Sequence, residues 1–259
     1  MDIYNRYATV TSNEIIVKGR CSASLTTLTD LDGANILTDQ TSLLLTPTTL
    51  DISSSSTADA AAGIGAQTLE LIGLGANKTF IKEVVTLNGQ TVVTTANAYF
   101  RLFFAQVLTT GTAVTGNNNG DIYIIKTGTG GTYTTGVPGT FTIASAIMKI
   151  LATTNQGGSC FYTTPNIDKT SWIVKRIDVS SNLSAGTAVL QIMDEAGVAP
   201  YFRELYIQFG AGLPTTVDLT PYQLEYTKLT DIRLLALTAS AGSQVGGSIY
   251  IHRNNLGNA

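Results

Sequence analysis

The sequence predicts an all-β protein of two tandem β-sandwich, jelly-roll-like units with little helix. Three observations carry that expectation. Short runs alternate apolar and polar residues, the period-2 pattern of a half-buried strand. Thr, Val, Ile, Gly and Ser dominate these runs, and they favour strands or loops over helices. A closing pattern also occurs twice, as GNNNGDIYI at 116–124 and QVGGSIYIHRN at 244–254. Each is a Gly-rich loop followed by Ile-Tyr-Ile, downstream of a strand-like run containing Arg101 or Arg233.

The elements follow in order. EIIVKG (14–19) and SLLLTPTTLDI (42–52) read as strands. TADAAAG offers a Thr N-cap and a terminal Gly, which predicts a short helix over 57–62. QTLELIG (67–73) sets Leu69 and Leu71 on one face against Thr68, Glu70 and Ile72. FIKEVVTLNGQTVVTT (80–95) reads as strand, turn, strand, with Asn88-Gly89 suited to a type I′ hairpin. AYFRLFFAQVLTTG (98–111) and DIYIIKTG (121–128) are further strands. In the second half, SWIVKRIDVSSN (171–182) alternates cleanly, and GTAVLQIMDEAGV (186–198) runs into a turn at 194–197. YFRELYIQFG (201–210), TDIRLLALTAS (230–240) and GGSIYIHRN (246–254) complete the set, with room for one helical turn after Pro221.

The two halves align. GAQTLELIG (65–73) matches GTAVLQIMD (186–194), FIKEVVTL (80–87) matches FRELYIQF (202–209), and YFRLFFAQVLTTG (99–111) matches DIRLLALTASAG (231–242). Self-similarity of this kind signals a repeated structural unit. The expected division is an N-terminal arm at 1–50, packing on the first unit or on a neighbour; a first sandwich at 51–130; a Gly/Thr-rich linker and long loop at 131–170; and a second sandwich at 171–259.

Composition narrows the function. Charged residues are 13% of the total, about half the usual share. Thr, Ser, Asn, Gln and Gly must therefore supply the polar surface, and so uncharged a surface suits coverage by neighbours. A net charge of −3 and the absence of a Lys/Arg cluster argue against a nucleic-acid partner. No window reaches the length of an apolar membrane span, and no secretory signal pattern is visible at the start. Cys21 and Cys160 are far apart and read as free thiols rather than a disulfide or metal pair.

Residues arranged for catalysis or ligand binding are scarce in the sequence. His252 is the single histidine and no G-x-S-x-G elbow accompanies it, so a Ser–His–Asp triad is not expected; it reads as a strand-end residue. Asp30, Asp32 and Gly33 begin like a calcium loop, but Thr41 stands where the closing Glu is required. Glu70, Glu83, Asp121, Asp194, Glu195, Glu204 and Asp231 read as solvated or paired charges rather than a glycosidase pair. Trp172 could belong to a sugar platform, but reads better as a buried anchor. No catalytic, cofactor-binding or metal residue is assigned, no cofactor is expected, and the protein is not expected to be an enzyme.

One stretch resembles a known family. The run DISSSSTADAAAGIGAQTLELIGLGANKTFIKEVVTLNGQTVVTTANAYFRL (51–102) resembles virion structural proteins of tailed bacteriophages, notably phages of cyanobacteria and other aquatic bacteria. The residues carrying it are Asp59, Ala61, Ala62, Gly63, Gly65, Ala66, Gly73, Leu74, Val85, Thr86, Leu87, Asn88 and Gly89. SAGTAVLQI, FRELYIQFG and TDIRLLALTAS extend the likeness, which covers roughly 51–252. Gly73-Leu74-Gly75 departs from the family's Gly-Leu-Asp turn. The resemblance implies a component of the virion, assembled in the host bacterial cytoplasm. We expect a capsid decoration or cement protein that bridges neighbouring capsomers. Its partners would be further copies of itself and the major capsid protein, without nucleic acid or membrane, and residues 1–50 would help dock it. The alternatives are a neck or tail component (adaptor, nozzle or fibre base), with 111–120 as a projecting contact, or a glycan-binding attachment module.

Overall fold

The computed structural model describes residues 14–21, 29–31, 46–112, 116–128, 146–158, 160–193, 202–238 and 243–255. Among them the regular elements are strands, apart from one 3-10 turn at Thr220–Tyr222, where Pro221 supplies the fixed φ of a helix start. The first strands are β1 (Glu14–Cys21) and β2 (Thr29–Asp30). Then come β3 (Leu50–Ser54), β4 (Ala66–Gly75), β5 (Phe80–Thr86), β6 (Val93–Thr94), β7 (Tyr99–Thr110), β8 (Ile122–Lys126), β9 (Ala146–Ile150) and β10 (Gln156–Gly158). The last eight are β11 (Phe161–Thr163), β12 (Thr170–Ser181), β13 (Gly186–Met193), β14 (Phe202–Phe209), β15 (Thr215–Asp218), β16 (Leu224–Tyr226), β17 (Asp231–Thr238) and β18 (Val245–Asn255).

The all-β expectation holds, and both units have the strand order of a jelly roll. Number its eight positions so that one sheet runs 1-8-3-6 and the other 2-7-4-5. In the unit Ile36–Gly158, the sheets are β9-β8-β3-β6 and β10-β7-β4-β5. In the unit formed by Met1–Asn35 and Ser159–Ala259, they are β1-β18-β12-β15 and β11-β17-β13-β14, with β16 also on β12. All of these pairings are antiparallel. The stretches aligned in sequence occupy matching positions: β4 and β13 are position 4, β5 and β14 position 5, β7 and β17 position 7. The two Ile-Tyr-Ile strands, β8 and β18, are position 8.

The units are nested rather than tandem. β1 pairs along its full length with β18, from Glu14 opposite His252 to Cys21 opposite Val245. It is therefore a strand of the second sandwich, not an arm on the first. Position 2 of that sandwich is made in two pieces. Asp30 lies opposite Leu235, the carbonyl of Leu31 accepts the Cys160 N–H at 2.8 Å, and Phe161 continues the line opposite Arg233. The polypeptide leaves this strand after Leu31 and returns to it at Cys160, with the whole first sandwich between. The 131–170 segment is likewise not all linker. β9 and β10 complete the inserted unit, and β11 belongs to the host.

Two local expectations also change. The run 80–95 is not a hairpin: β5 pairs with β4 in one sheet and β6 with β3 in the other. The turn at Gly89 is captured by the β3–β4 connector, with Ser54 N–H donating to Gly89 O at 2.8 Å and Ala61 N–H to Leu87 O at 3.0 Å. Residues 57–62 form turns rather than a helix, because the same connector uses its backbone groups on that loop. The turn expected at 194–197 lies outside the described residues.

Each sandwich has its own core. In the inserted unit, Leu50 and Ile52 of β3, Ile122 and Ile124 of β8, and Met148 and Ile150 of β9 meet Leu69, Leu71, Leu102 and Ala105 of the other sheet. In the host unit, Trp172 of β12 packs against Tyr162 of β11, ring centres 5.8 Å apart. Ile15 and Val17 of β1 are buried. Burying two such side chains contributes about 3–6 kcal/mol, a large share of the stability of a typical domain.

This nesting makes a prediction about fragments. Residues 46–158 contain all eight positions of their sandwich and should fold alone with a cooperative urea transition. Residues 159–259 lack position 1 and half of position 2, and should remain unfolded until a 14–31 peptide is supplied. The single tryptophan, Trp172, reports the second case directly by the blue shift of its emission on folding. Independent folding of 159–259 would contradict the structural role given to β1.

Candidate functional site

The densest polar cluster lies in the inserted unit, where the β3–β4 connector meets the GNNNGD loop before β8. Serine hydroxyls bond readily to nearby backbone groups, which favours turns. Ser54 Oγ accepts the Ser56 N–H at 3.1 Å and donates to Asp59 Oδ2 at 2.6 Å. Ser55 Oγ accepts the Asp121 N–H at 2.8 Å. Asp59 is fully buried. Its Oδ1 accepts the N–H groups of Ala66 and Asn119, each at 2.8 Å, and its Oδ2 also accepts the Gly120 N–H at 2.8 Å. A carboxylate offers about four lone-pair sites, and four donors occupy them here. Asp59 is left with no free lone pair to ligate a metal or take a substrate proton, so it acts as a tie.

The asparagine run is held from the other side. Asn118 is buried; its Nδ2 donates to the carbonyls of Gly120 at 2.7 Å and Leu151 at 2.9 Å. Its Oδ1 accepts the Asn155 N–H at 3.0 Å, while its own N–H donates to Asn155 Oδ1 at 2.9 Å. Asn155 takes a left-handed φ of 59°, which asparagine tolerates. The part of 111–120 that the structure describes after Gly116 is thus anchored inward. Asp121 closes the cluster, accepting the Ala152 N–H at 2.8 Å and pairing with Lys149 Nζ at 2.7 Å. Burial alone would raise the Asp121 carboxyl, but the hydrogen bonds from Lys149 and Ala152 and the Lys149 charge outweigh it and hold it below its ordinary value. Burial likewise works to lower Lys149, and the hydrogen bond and charge of Asp121, with Tyr123, reverse it into a raised value.

A second candidate is a shallow groove of about 430 Å³ on the outer face of the host sheet, lined by Ile16, Lys175, Arg176, Asp218, Tyr250 and His252 among others. Arg176 lies 3.8 Å over the Tyr250 ring and pairs with Asp178 at 3.0 Å. The aromatic face on which a sugar would stack is therefore covered by a guanidinium. Trp172 is 1% exposed and also inaccessible for stacking.

The other residues singled out in the sequence are scattered. His252 sits within β18, between Glu14 and Ile173, rather than at a strand end. Cys160 is buried, and its Sγ donates toward the Val17 carbonyl at 3.8 Å. Glu70 is buried between Lys82 at 2.6 Å and Gln106 at 2.9 Å. Glu83 accepts the Ala96 N–H at 2.7 Å and the Tyr99 hydroxyl at 3.3 Å; burial first, and then Glu83, push the Tyr99 phenol well above its usual range. Asp231 accepts the Thr163 hydroxyl. Asp30 lies in β2, while Asp32, Gly33, Asp194 and Glu195, and the side chain of Glu204, fall outside the described residues. Among the described residues no cluster could hold a metal ion, and no helix is long and apolar enough to cross a membrane. Sequence reasoning gave Asp59 and Asn155 no role. For Asp59 the signal present was its place between a serine run and a glycine pair.

No protein-family model matches the sequence, and no curated protein sequence matches it. Among solved structures the protein is similar to one from infectious bursal disease virus (Gx strain), at 10% identity over 95% of this chain and 71% of that chain, with a TM-score of 0.23. A likeness of that size bears on neither fold nor function.

Two expectations follow from the cluster. Asp59→Ala leaves buried N–H groups without their acceptor, and should destabilise the inserted unit by about 3–5 kcal/mol in urea unfolding, with hydrogen exchange at 116–121 rising first. The Asp121–Lys149 pair should stabilise the unit across the neutral range and lose its contribution only at the pH extremes. Asp121 is depressed below 3.8, so its contribution is present above that value and lost as pH falls through the lower folded value. Lys149 is raised above 10.5, so its contribution is present below that value and lost as pH rises through the higher folded one. The pair is partly solvated and should contribute about 1 kcal/mol or less. Asp121→Asn should flatten the acid limb of stability against pH and leave the neutral region unchanged in shape.

Proposed function

We propose that this protein is a non-enzymatic structural component of a tailed-phage virion, and specifically a capsid decoration or cement protein joining neighbouring capsomers. The observation that carries the reading is a repeated apolar display. In the inserted unit, Ile64 of the β3–β4 connector and Val92 of the β5–β6 connector are 53% and 40% exposed. At the matching connectors of the host unit, Leu183 and Leu213 are 64% and 70% exposed. In each unit the two connectors are hydrogen-bonded neighbours or border one another: Gly89 N–H donates to Asp59 O at 2.7 Å, and Gly212 N–H to Ser181 O at 2.7 Å. Exposed aliphatics kept at the same place in both copies of a repeat suit a contact surface.

Charge supports the same reading. Among the described residues, five charged ones, Asp59, Glu70, Arg101, Asp231 and Arg233, are buried. The surface is thus poorer still in charge than the composition indicates, and contacts through it need little desolvation. The resemblance of 51–102 to tailed-phage virion proteins supplies the particle. Because β1 is a strand of the host sandwich, deleting 1–50 would unfold that unit and could not test docking.

Two measurements test the proposal. The first is the copy number of the protein in purified particles, relative to the major capsid protein, by quantitative mass spectrometry. Hundreds of copies, to the order of magnitude expected for a coat with one or more subunits per capsomer, support cement; a few to a few dozen would place it at the neck or tail, and absence from the particle would sink the structural reading. The second is Leu183→Asp with Leu213→Asp in the full-length protein. We expect at least about tenfold weaker binding to particles stripped of the protein, with the Trp172 unfolding transition unmoved. Undiminished binding would remove these loops from the contact.

A further inference from the structure

The sequence contains two Asn-Gly dipeptides, Asn88-Gly89 and Asn119-Gly120. Asparagine is a thermolabile residue, and a following glycine, with no Cβ, lets its backbone nitrogen swing toward the asparagine side chain. In that reaction the glycine N–H loses its proton and the nitrogen attacks the asparagine Cγ. A C–N bond forms, the Cγ–Nδ2 bond of the amide breaks, and ammonia leaves, giving a succinimide. Water then opens the ring at either carbonyl to yield aspartate or isoaspartate. No oxidant or metal takes part.

Both dipeptides expose the asparagine and bury the glycine. Both glycine nitrogens donate to the same residue: Gly120 N–H to Asp59 Oδ2 at 2.8 Å, and Gly89 N–H to the Asp59 carbonyl at 2.7 Å. Neither glycine is replaceable by a residue that would slow the reaction. At Gly120 a Cβ would lie 2.6 Å from Ser55 Oγ and from Ser56 N. Gly89 has φ +60°, and its Cβ would lie 3.1 Å from the Thr57 backbone. The close packing that demands glycine also creates the chemical hazard.

We propose that Asp59 is a deamidation lock, which keeps Asn88 and Asn119 as amides by fixing the two glycine peptide planes and shielding their N–H groups from base. Asn88 and Asn119 are then the latent modification sites of the protein, opened together when the Asp59 cluster opens. The function of the protein does not enter this inference; it concerns how long the inserted unit remains chemically intact.

The experiment ages the full-length protein in warm, mildly alkaline buffer and maps amide-to-acid conversion by peptide mass spectrometry. An unstructured peptide of each Asn-Gly sequence sets the unprotected rate. The intact protein should convert at least about tenfold more slowly than the peptides at both sites. Asp59→Asn should accelerate both sites together by a similar factor, whereas Asp51→Asn, a change on a half-buried carboxylate of the same unit that bonds Thr94 and Thr127 instead, should accelerate neither. Should Asp59→Asn fail to fold, the unmodified protein in graded sub-denaturing urea decides the matter. Conversion at both sites should then rise in proportion to hydrogen exchange at the Gly89 and Gly120 amides. Peptide-like conversion at either site in the folded protein would overturn the proposal, as would a folded Asp59→Asn protein that ages like the parent, or conversion that does not follow exchange.

Discussion

The inserted sandwich depends on one carboxylate. Asp59 gathers donors from Ser54, Ala66, Asn119 and Gly120, which stand up to 61 positions away in the sequence. Those donors belong to the end of β3, the start of β4 and the loop entering β8. Fixing them sets where two facing sheets begin relative to each other, and the Leu50–Ile124–Leu69 core follows from that placement. A buried carboxylate without partners would be heavily destabilising; with both oxygens saturated it becomes a rigid corner. The same saturation is why Asp59 has no lone pair left for a metal or a substrate proton.

The nested topology is less costly than it first looks. In the strand orders 1-8-3-6 and 2-7-4-5, positions 1 and 2 are both edges. An edge strand has one neighbour, so rerouting the segments that lead into it disturbs one ladder rather than two. The host breaks position 2 between Leu31 and Cys160, yet Cys160 still bonds Leu31 on one side and Leu234 on the other. The inserted unit supplies positions 1 and 2 from β9 and β10, after position 8 rather than before position 3. Positions 3, 4, 7 and 8, which carry most of each core, stay in the same order in both units. The protein thus holds two versions of one sandwich that differ only where each sheet tolerates it.

That distinction also explains what could be read from the sequence. Strand identity is local: the alternation in 171–182 and the 186–194 match to 65–73 place β12, β13 and β4 correctly, because period-2 burial is written in neighbouring residues. Partner choice is not local. EIIVKG is a strand on its own evidence, but its pairing with β18 is fixed by a register between residues at opposite ends of the sequence, as Glu14 opposite His252 shows. Asn88-Gly89 has the chemistry of a hairpin turn, and Gly89 does take positive φ. The Ser54, Asp59 and Ala61 backbone groups capture that turn and send β5 and β6 into different sheets. The helix expected at 57–62 fails for the same reason, since those groups bond across to 87–89 rather than along a helix. Asp59 itself was visible only as one letter of a motif, because its meaning lies in donors that approach from three separate segments.

The internal repeat carries functional information as well as structural. A duplicated sandwich can let one copy drift while the other keeps the fold, so what both copies retain beyond the strands is informative. The core positions are retained for packing. The aliphatics at Ile64, Val92, Leu183 and Leu213 are exposed rather than buried in either core, and in water they are a liability. The Asp59 tie, by contrast, has no counterpart of the same form among the described residues of the host, where Ser184 and Ser243 hydroxyls meet at 2.6 Å between the corresponding connectors. Each copy therefore secures its connectors by its own chemistry while presenting apolar side chains from the same two places. Different internal solutions holding one external feature constant is the pattern expected when selection acts on the surface, which is the ground for proposing those loop ends as the contact.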